Sequence, residues 1–182
     1  MRPTDEFYIV VDIEASGPTP GIHAMLSLGA ATLSDPPETF YIEFQPDSEA
    51  FTEEAMGVHR LSMEKLKKNG TPPAAAMQTF ADWVETVTPD GMHPIFVAFN
   101  APFDWMYANV YFHRYLGYNP FGHKALDIKA LFMGFKQVPF LHTSHVRVCE
   151  HYGLKSSLTH HALEDAVQEA QLLNHLLTEI FE

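Results

Sequence analysis

Runs of apolar residues alternate along this chain with stretches of helical periodicity, and together they predict a five-stranded sheet combined with helices. The first apolar run, residues 7–11, is continuous, as in a strand that is buried on both faces. Four further strands are predicted over residues 25–33, 38–44, 93–99 and 125–128. Helices are predicted over residues 51–56, 62–68, 72–87, 102–116, 144–152 and 161–180, with one more around residues 131–132.

The connections between these elements indicate the class of fold. The first three strands are joined by short turns, as in an antiparallel meander, whereas the later strands alternate with helices. We therefore expect an α/β fold with a sheet of mixed direction. Thr71 is expected to cap the third helix, with Pro72 at its first helical position.

Two carboxylates, Asp12 and Glu14, come directly after the first apolar run. Side chains alternate along a strand, so these two groups point to the same side, about 6.6 Å apart along the backbone. Two anionic groups at the edge of a buried sheet cost free energy unless a cation lies between them. A metal site is one interpretation, and a pair of solvated carboxylates at the mouth of a loop is the other.

Three further polar residues later in the chain could belong to the same site. Asp104 lies just inside the helix after the fourth strand, where α/β proteins gather their ligands, although an acid there also complements the helix dipole. Asp165 lies on the apolar face of the last helix beside Ala162 and Ala166, which is unusual in a core helix and ordinary for a metal ligand. His160 precedes that helix and could either reach the same site or remain a surface residue.

Composition narrows the possible partners. The 182 residues fit one domain, 1–182, and contain 11 Lys and Arg against 23 Asp and Glu, a formal net charge of -12. Such an acidic chain is not expected to bind a long duplex through its phosphates, although it could act on a strand end. The single cysteine fits a reducing compartment, and no segment suggests a leader or a membrane span, so we expect a cytoplasmic protein with no membrane partner.

Three segments, taken in order, resemble the motifs of the DEDDh 3′–5′ exonucleases: Asp12-Ile13-Glu14, Asn100-Ala101-Pro102-Phe103-Asp104 and His160-x-x-x-x-Asp165. This ribonuclease H-like family includes the DNA polymerase III epsilon subunit, ribonuclease T and oligoribonuclease. The resemblance covers nearly the whole chain and extends to Ser27-Leu28-Gly29-Ala30. Phe99 and Arg60 depart from residues common in relatives, which concerns substrate fit rather than metal ligands. The resemblance implies a ribonuclease H-like mixed five-stranded sheet flanked by helices, forming a single exonuclease domain.

The resemblance also implies a reaction and a set of site residues. Asp12, Glu14, Asp104 and Asp165 would hold two Mg²⁺ or Mn²⁺ ions, and His160 would act as general base. The enzyme would release nucleoside 5′-monophosphates from the 3′ end of single-stranded or short nucleic acids. The backbone around Ser16 and Gly17 would hold the terminal 3′-hydroxyl, and Met25 and Phe103 are candidates to flank the last bases. Packing in the core is an equal alternative for Phe103.

Two other functions fit the same residues. The chain could be a proofreading subunit bound to a polymerase, or a catalytically inactive relative that binds nucleic acid. The sequence leaves the choice between DNA and RNA open, because the ribose 2′-hydroxyl is recognised by one or two local contacts. Ribonuclease T and oligoribonuclease form dimers, so a homodimer is a further possibility implied by the resemblance.

Overall fold

The strands form one mixed sheet in the order β3-β2-β1-β4-β5, as the computed structural model shows for residues 5–156 and 158–181. The strand bounds are β1 Glu6–Ala15, β2 Met25–Thr32, β3 Thr39–Glu43, β4 His93–Ala98 and β5 Ala125–Asp127. The pairs β1–β2 and β2–β3 are antiparallel, whereas β1–β4 and β4–β5 are parallel. The predicted five-stranded sheet of mixed direction is confirmed.

Helices cover both faces of this sheet. Their bounds are α1 Glu53–His59, α2 Met63–Asn69, α3 Pro73–Val87, α4 Pro102–Tyr115, α5 Ile128–Lys136, α6 His145–His151 and α7 Ala162–Phe181, with a short 3₁₀ helix at Phe140–His142. Helices α3 and α4 pack on the face of Ile9 and Val11, and α5, α6 and α7 pack on the face of Val10 and Val97. None of the described helices combines the length and apolar character needed to cross a membrane.

The start of α3 differs from the prediction by one residue. Pro72 rather than Thr71 is the residue that precedes the first helical turn, and no side chain caps the helix there. A proline has no backbone N–H and its φ is fixed, so it suits this boundary without a capping hydrogen bond.

Strand β1 is longer than the apolar pattern predicted. It continues through Asp12 and Glu14 to Ala15, because these residues pair with β2, with Asp12 opposite Gly29 and Glu14 opposite Ser27. The parallel pairing of β1 with β4 has already ended at Val10. The two carboxylates therefore lie on a hydrogen-bonded strand that extends past the end of β4, and not in a loop.

Gly29 allows α7 to begin directly over the sheet. A Cβ atom placed on Gly29 would lie 2.3 Å from the backbone of Ala162 and Leu163, far inside a normal contact distance. Since Gly29 pairs with Asp12, this close approach brings the first turn of α7 over the acidic end of β1. Packing therefore requires a glycine at position 29, next to the acidic residues of β1 and α7.

Replacing Gly29 by alanine is expected to destabilise the protein by about 1–3 kcal/mol, because the new methyl group meets backbone that can move only with α7. Urea or thermal unfolding measures this change. The matched control is Gly134→Ala in α5, where a Cβ meets nothing within 4 Å and a gain of about 0.5–1 kcal/mol is expected. Equal stability of Gly29→Ala and wild type would contradict the close approach.

Candidate active site

The four expected carboxylates and His160 line one cavity of about 220 Å³ at the end of β4. Besides these five residues, its wall consists of Ile13, Phe99, Asn100, Phe103, Leu158 and Glu169. One ligand atom each from Glu14, His160 and Asp165 lies within 4.8 Å of the others. Three segments that are far apart in the chain therefore converge as the sequence analysis expected.

Asp104 is held by the turn between β4 and α4. Asn100 has a left-handed backbone with φ 70°, and the next N–H, of Ala101, donates to Asp127 at 2.6 Å. This turn directs α4 so that Asp104 Oδ1 accepts a hydrogen bond from Ile13 N–H at 3.0 Å. Ile13 lies beyond the residues of β1 that pair with β4, so β4 does not accept a hydrogen bond from its N–H. The carboxylate of Asp104 accepts it instead.

Asp165 fixes the segment that carries His160. Asp165 is buried, and its two carboxylate oxygens accept hydrogen bonds from the N–H groups of Thr159 and His160, each at 2.9 Å. His160 has a left-handed backbone with φ 56° and an exposed side chain. A single carboxylate thus contributes to the acidic cavity and determines where the imidazole is presented.

Glu169 is a fifth acid in the cavity, and the sequence analysis did not include it. It lies one helical turn after Asp165 on α7 and is 3% exposed. Its Oε2 accepts a hydrogen bond from Phe99 N–H at 3.2 Å, at the end of β4. The spacing of four residues from Asp165, on the same buried helix face, is the signal that could have identified it.

Burial and mutual repulsion raise the pKa of these acids. The pKa of Asp12 is raised well above its ordinary value, first by burial and then by the charges of Asp104, Glu14 and Asp165. Burial and the charge of Asp165 raise the pKa of Glu14 to about 7. Burial also raises the pKa values of Asp104 and Glu169, against hydrogen bonds from backbone N–H groups that lower them. A positive charge in the cavity would relieve this repulsion.

A second, more apolar cavity of about 400 Å³ adjoins the acidic one and shares Glu14 and Phe103 with it. Its other lining residues are Ala15, Gly17, Pro18, Thr52, Glu54, Ala55, Val58 and His59. Gly17 is buried, its carbonyl accepts a hydrogen bond from Tyr107 Oη at 2.7 Å, and a Cβ there would collide with the ring of His23. Two of the expected substrate-binding residues, Gly17 and Phe103, therefore line this cavity.

The other two expected substrate-binding residues, Ser16 and Met25, are fully buried and line neither cavity. Ser16 N–H donates to Ala24 O at 2.8 Å, and its carbonyl accepts from Thr52 N–H at 2.8 Å, so its backbone is occupied within the protein. The Met25 side chain belongs to the core between the sheet and helices α3 and α4. Neither residue exposes surface to a nucleotide.

The raised pKa values predict how the stability of the metal-free protein depends on pH. The folded acids bind protons that the unfolded chain releases, so the free energy of unfolding is highest below the unfolded pKa, about 4.5, and falls as pH rises through about 7. Thermal unfolding in chelator at pH 5 and pH 8 measures the loss. Glu169→Gln keeps an acceptor for Phe99 N–H while removing one charge. This variant is expected to lose less stability between pH 5 and pH 8 than wild type does.

The control for that experiment is Glu85→Gln, which changes an exposed acid on α3 that does not line the cavity and is expected to follow wild type. Equal or greater stability of the wild type at pH 8 than at pH 5 in chelator would contradict the mutual repulsion.

Known proteins resemble this chain in sequence and in fold. The family model for RNase T-type exonucleases matches residues 9–173. The 3′-5′ DNA exonuclease Cap18 of Escherichia coli is 41% identical over 172 residues, which are 94% of this chain and 92% of Cap18.

Among solved structures, the nuclease domain of 3′hExo, a DEDDh family member bound to rAMP, superposes with a TM-score of 0.79 at 15% identity, over 97% of this chain and 94% of that one. The zinc-bound E. coli ExoI–ssDNA complex gives a TM-score of 0.71 at 18% identity, over 98% of this chain and 43% of that one. These structures share the fold. The family model and the similarity to Cap18 cover most of the chain, and the chain therefore belongs to the RNase T-type family of 3′–5′ exonucleases.

Proposed function

We propose that this exonuclease hydrolyses the terminal phosphodiester at the 3′ end of single-stranded or short nucleic acids, with two divalent cations and His160 as general base. The products would be nucleoside 5′-monophosphates. The observation that carries the proposal is the convergence of Asp12, Glu14, Asp104 and Asp165 with His160 in one cavity. Retention of all five residues argues against an inactive relative.

The donor set fits hard divalent cations. Carboxylate oxygens, which Mg²⁺ and Mn²⁺ prefer, dominate the cavity, and burial without a counter-charge raises the pKa of Asp12 and Asp104. Asp12, Glu14, Asp104 and Asp165 would hold these ions. When bound, such ions make water more acidic and stabilise the attacking and leaving oxygens of an in-line displacement at phosphorus.

His160 is suited to removing a proton from the attacking water. Its ring is exposed to solvent at the cavity mouth, with a nitrogen within 4.8 Å of the carboxylate oxygens of Glu14 and Asp165. The hydrogen bond from its backbone N–H to Asp165 holds the residue at this position before any substrate arrives. A neutral imidazole could accept the proton and return it to solvent.

The second cavity is suited to the 3′-terminal nucleoside. It adjoins the acidic cavity at Glu14 and Phe103, and Phe103, Val58 and Pro18 give it apolar walls. Apolar and aromatic contacts with a base face accept any base, as repeated removal of nucleotides requires. We propose that Phe103 and the wall around Gly17 hold this nucleoside while the phosphate on its 5′ side lies over the carboxylates.

DNA is the preferred substrate in this proposal, because the relative at 41% identity is named as a DNA exonuclease. The test uses 5′-labelled DNA and RNA oligomers of matched sequence, each with Mn²⁺, with Mg²⁺ and with EDTA. A descending ladder with metal and none with EDTA supports a metal-dependent exonuclease, and faster cleavage of DNA supports the preference. Cleavage in EDTA, or internal cuts without a ladder, would overturn the proposal.

Asp104→Asn is expected to lower kcat by about a hundredfold or more, because it removes a charge from the proposed metal site. The asparagine Oδ1 can still accept from Ile13 N–H, so thermal stability should remain near that of wild type. Single-turnover cleavage of a labelled oligomer measures the loss. Asp82→Asn, an exposed acid on α3, is the matched control and should retain full activity.

His160→Asn is expected to lower kcat by about 10²–10⁴-fold while leaving the stabilisation by Mn²⁺ intact. Asparagine is chosen because it tolerates the left-handed backbone of this position better than alanine does. The measurements are kcat on an oligomer and the thermal shift caused by Mn²⁺. Full activity of this variant would remove His160 from the proposed mechanism.

A further inference from the structure

Two consecutive apolar side chains are exposed on the 3₁₀ helix between α5 and α6. Phe140 is 53% exposed and Leu141 is 86% exposed. Large apolar side chains that lie together on a surface mark an interaction site more often than isolated ones do. These two residues and Lys129 of α5 are called the rim patch below.

Lys129 connects the rim patch to the acidic cavity. Its Nζ atom lies 4.6 Å from the centre of the Phe140 ring and 3.2 Å from Asn100 Oδ1. Asn100 itself lines the acidic cavity. The exposed aromatic ring is therefore one side chain away from the wall of the proposed active site.

The arrangement of the two cavities gives the direction in which a bound strand would leave. Glu14 and Phe103 line both cavities, whereas Asn100 and Leu158 line only the acidic one. A strand whose terminal nucleoside occupies the apolar cavity, and whose scissile phosphate lies over the carboxylates, continues past residues that line only the acidic cavity. Asn100 is one of these residues, and its side chain is hydrogen-bonded to Lys129 of the rim patch.

Charge also favours nucleic acid as the occupant. The chain has a formal net charge of -12, and the cavity wall carries five acids, so phosphates 5′ of the scissile bond approach a repulsive surface. Lys129 supplies a cation where these phosphates would pass, directly beside an exposed ring. A cation next to an aromatic platform is the combination that single-stranded nucleic acids bind without sequence preference.

We propose that the rim patch binds the nucleotides immediately 5′ of the scissile phosphate, with Lys129 on a phosphate and Phe140 stacked on a base. Leu141 packs beside the same base or sugar. This inference rests on the proposed function, because it extends the path of a strand whose 3′ end lies in the acidic cavity. It assigns to this surface a contact that a mononucleotide ester cannot make.

The test compares two substrates of the full chain with Mn²⁺. Thymidine 5′-(4-nitrophenyl phosphate) has no nucleotide on the 5′ side, whereas a single-stranded DNA ten-mer does. The double variant Phe140→Ala with Leu141→Ala is expected to keep kcat/KM for the ester within about twofold. It is expected to lose about fivefold to a hundredfold in kcat/KM for the ten-mer, mainly through KM.

Three further variants sharpen the result. Phe140→Trp keeps an aromatic ring and should cleave the ten-mer as wild type does. Lys129→Gln should weaken the dependence of the KM for the ten-mer on salt concentration. Tyr118→Ala removes a comparably exposed aromatic residue, 49% exposed, from a surface shared with Met92 and Pro94 at the opposite end of β4. This control should match wild type on both substrates.

Equal losses on both substrates, or no loss on either, would overturn the inference. A change in oligomeric state with an unchanged ratio of ten-mer to ester activity would instead identify the rim patch as a self-association surface. If the wild type cleaves neither substrate, the proposed function fails. Anisotropy of the labelled ten-mer on Asp12→Asn, with and without Phe140→Ala, then decides the inference: weaker binding supports it and equal binding overturns it.

Discussion

Five acids with like charges meet in one partly closed cavity, and the resulting repulsion opposes the fold that brings them together. Burial contributes most to the raised pKa of Asp12, and neighbouring carboxylates add to it. Such a cluster lowers the stability of a metal-free protein at neutral pH, since the unfolded chain would solvate each charge separately. The rest of the scaffold must therefore hold these groups in place against their mutual repulsion, which the proposed cations would relieve.

Backbone N–H groups supply part of that restraint. Ile13 donates to Asp104, Phe99 donates to Glu169, and Thr159 and His160 donate to Asp165. Each donor belongs to a different element from its acceptor, or to the loop before it, so each hydrogen bond also joins two parts of the chain. Gly29 adds a steric condition, because α7 can lie over Asp12 only where the sheet has no side chain.

The same arrangement separates two tasks. In the proposed function, the acidic cavity would hold the cations, and the adjoining apolar cavity, lined by Phe103 and Val58, would hold a nucleoside. An acidic protein could act on a polyanion in this way, because the proposed contact is limited to one strand end and a few cationic or aromatic residues beside it.

The sequence by itself determined the five strands and their mixed directions, because apolar periodicity is local. The three ordered motifs also predicted that Asp12, Glu14, Asp104, His160 and Asp165 come together, and they line one cavity. It did not determine that β1 continues past its carboxylates, since that depends on pairing with β2. Only the tertiary structure revealed that Glu169 lies beside Phe99 and that Ser16 and Met25 are buried. Burial and hydrogen-bond partners depend on residues that are distant in the chain, so a local sequence pattern does not predict them.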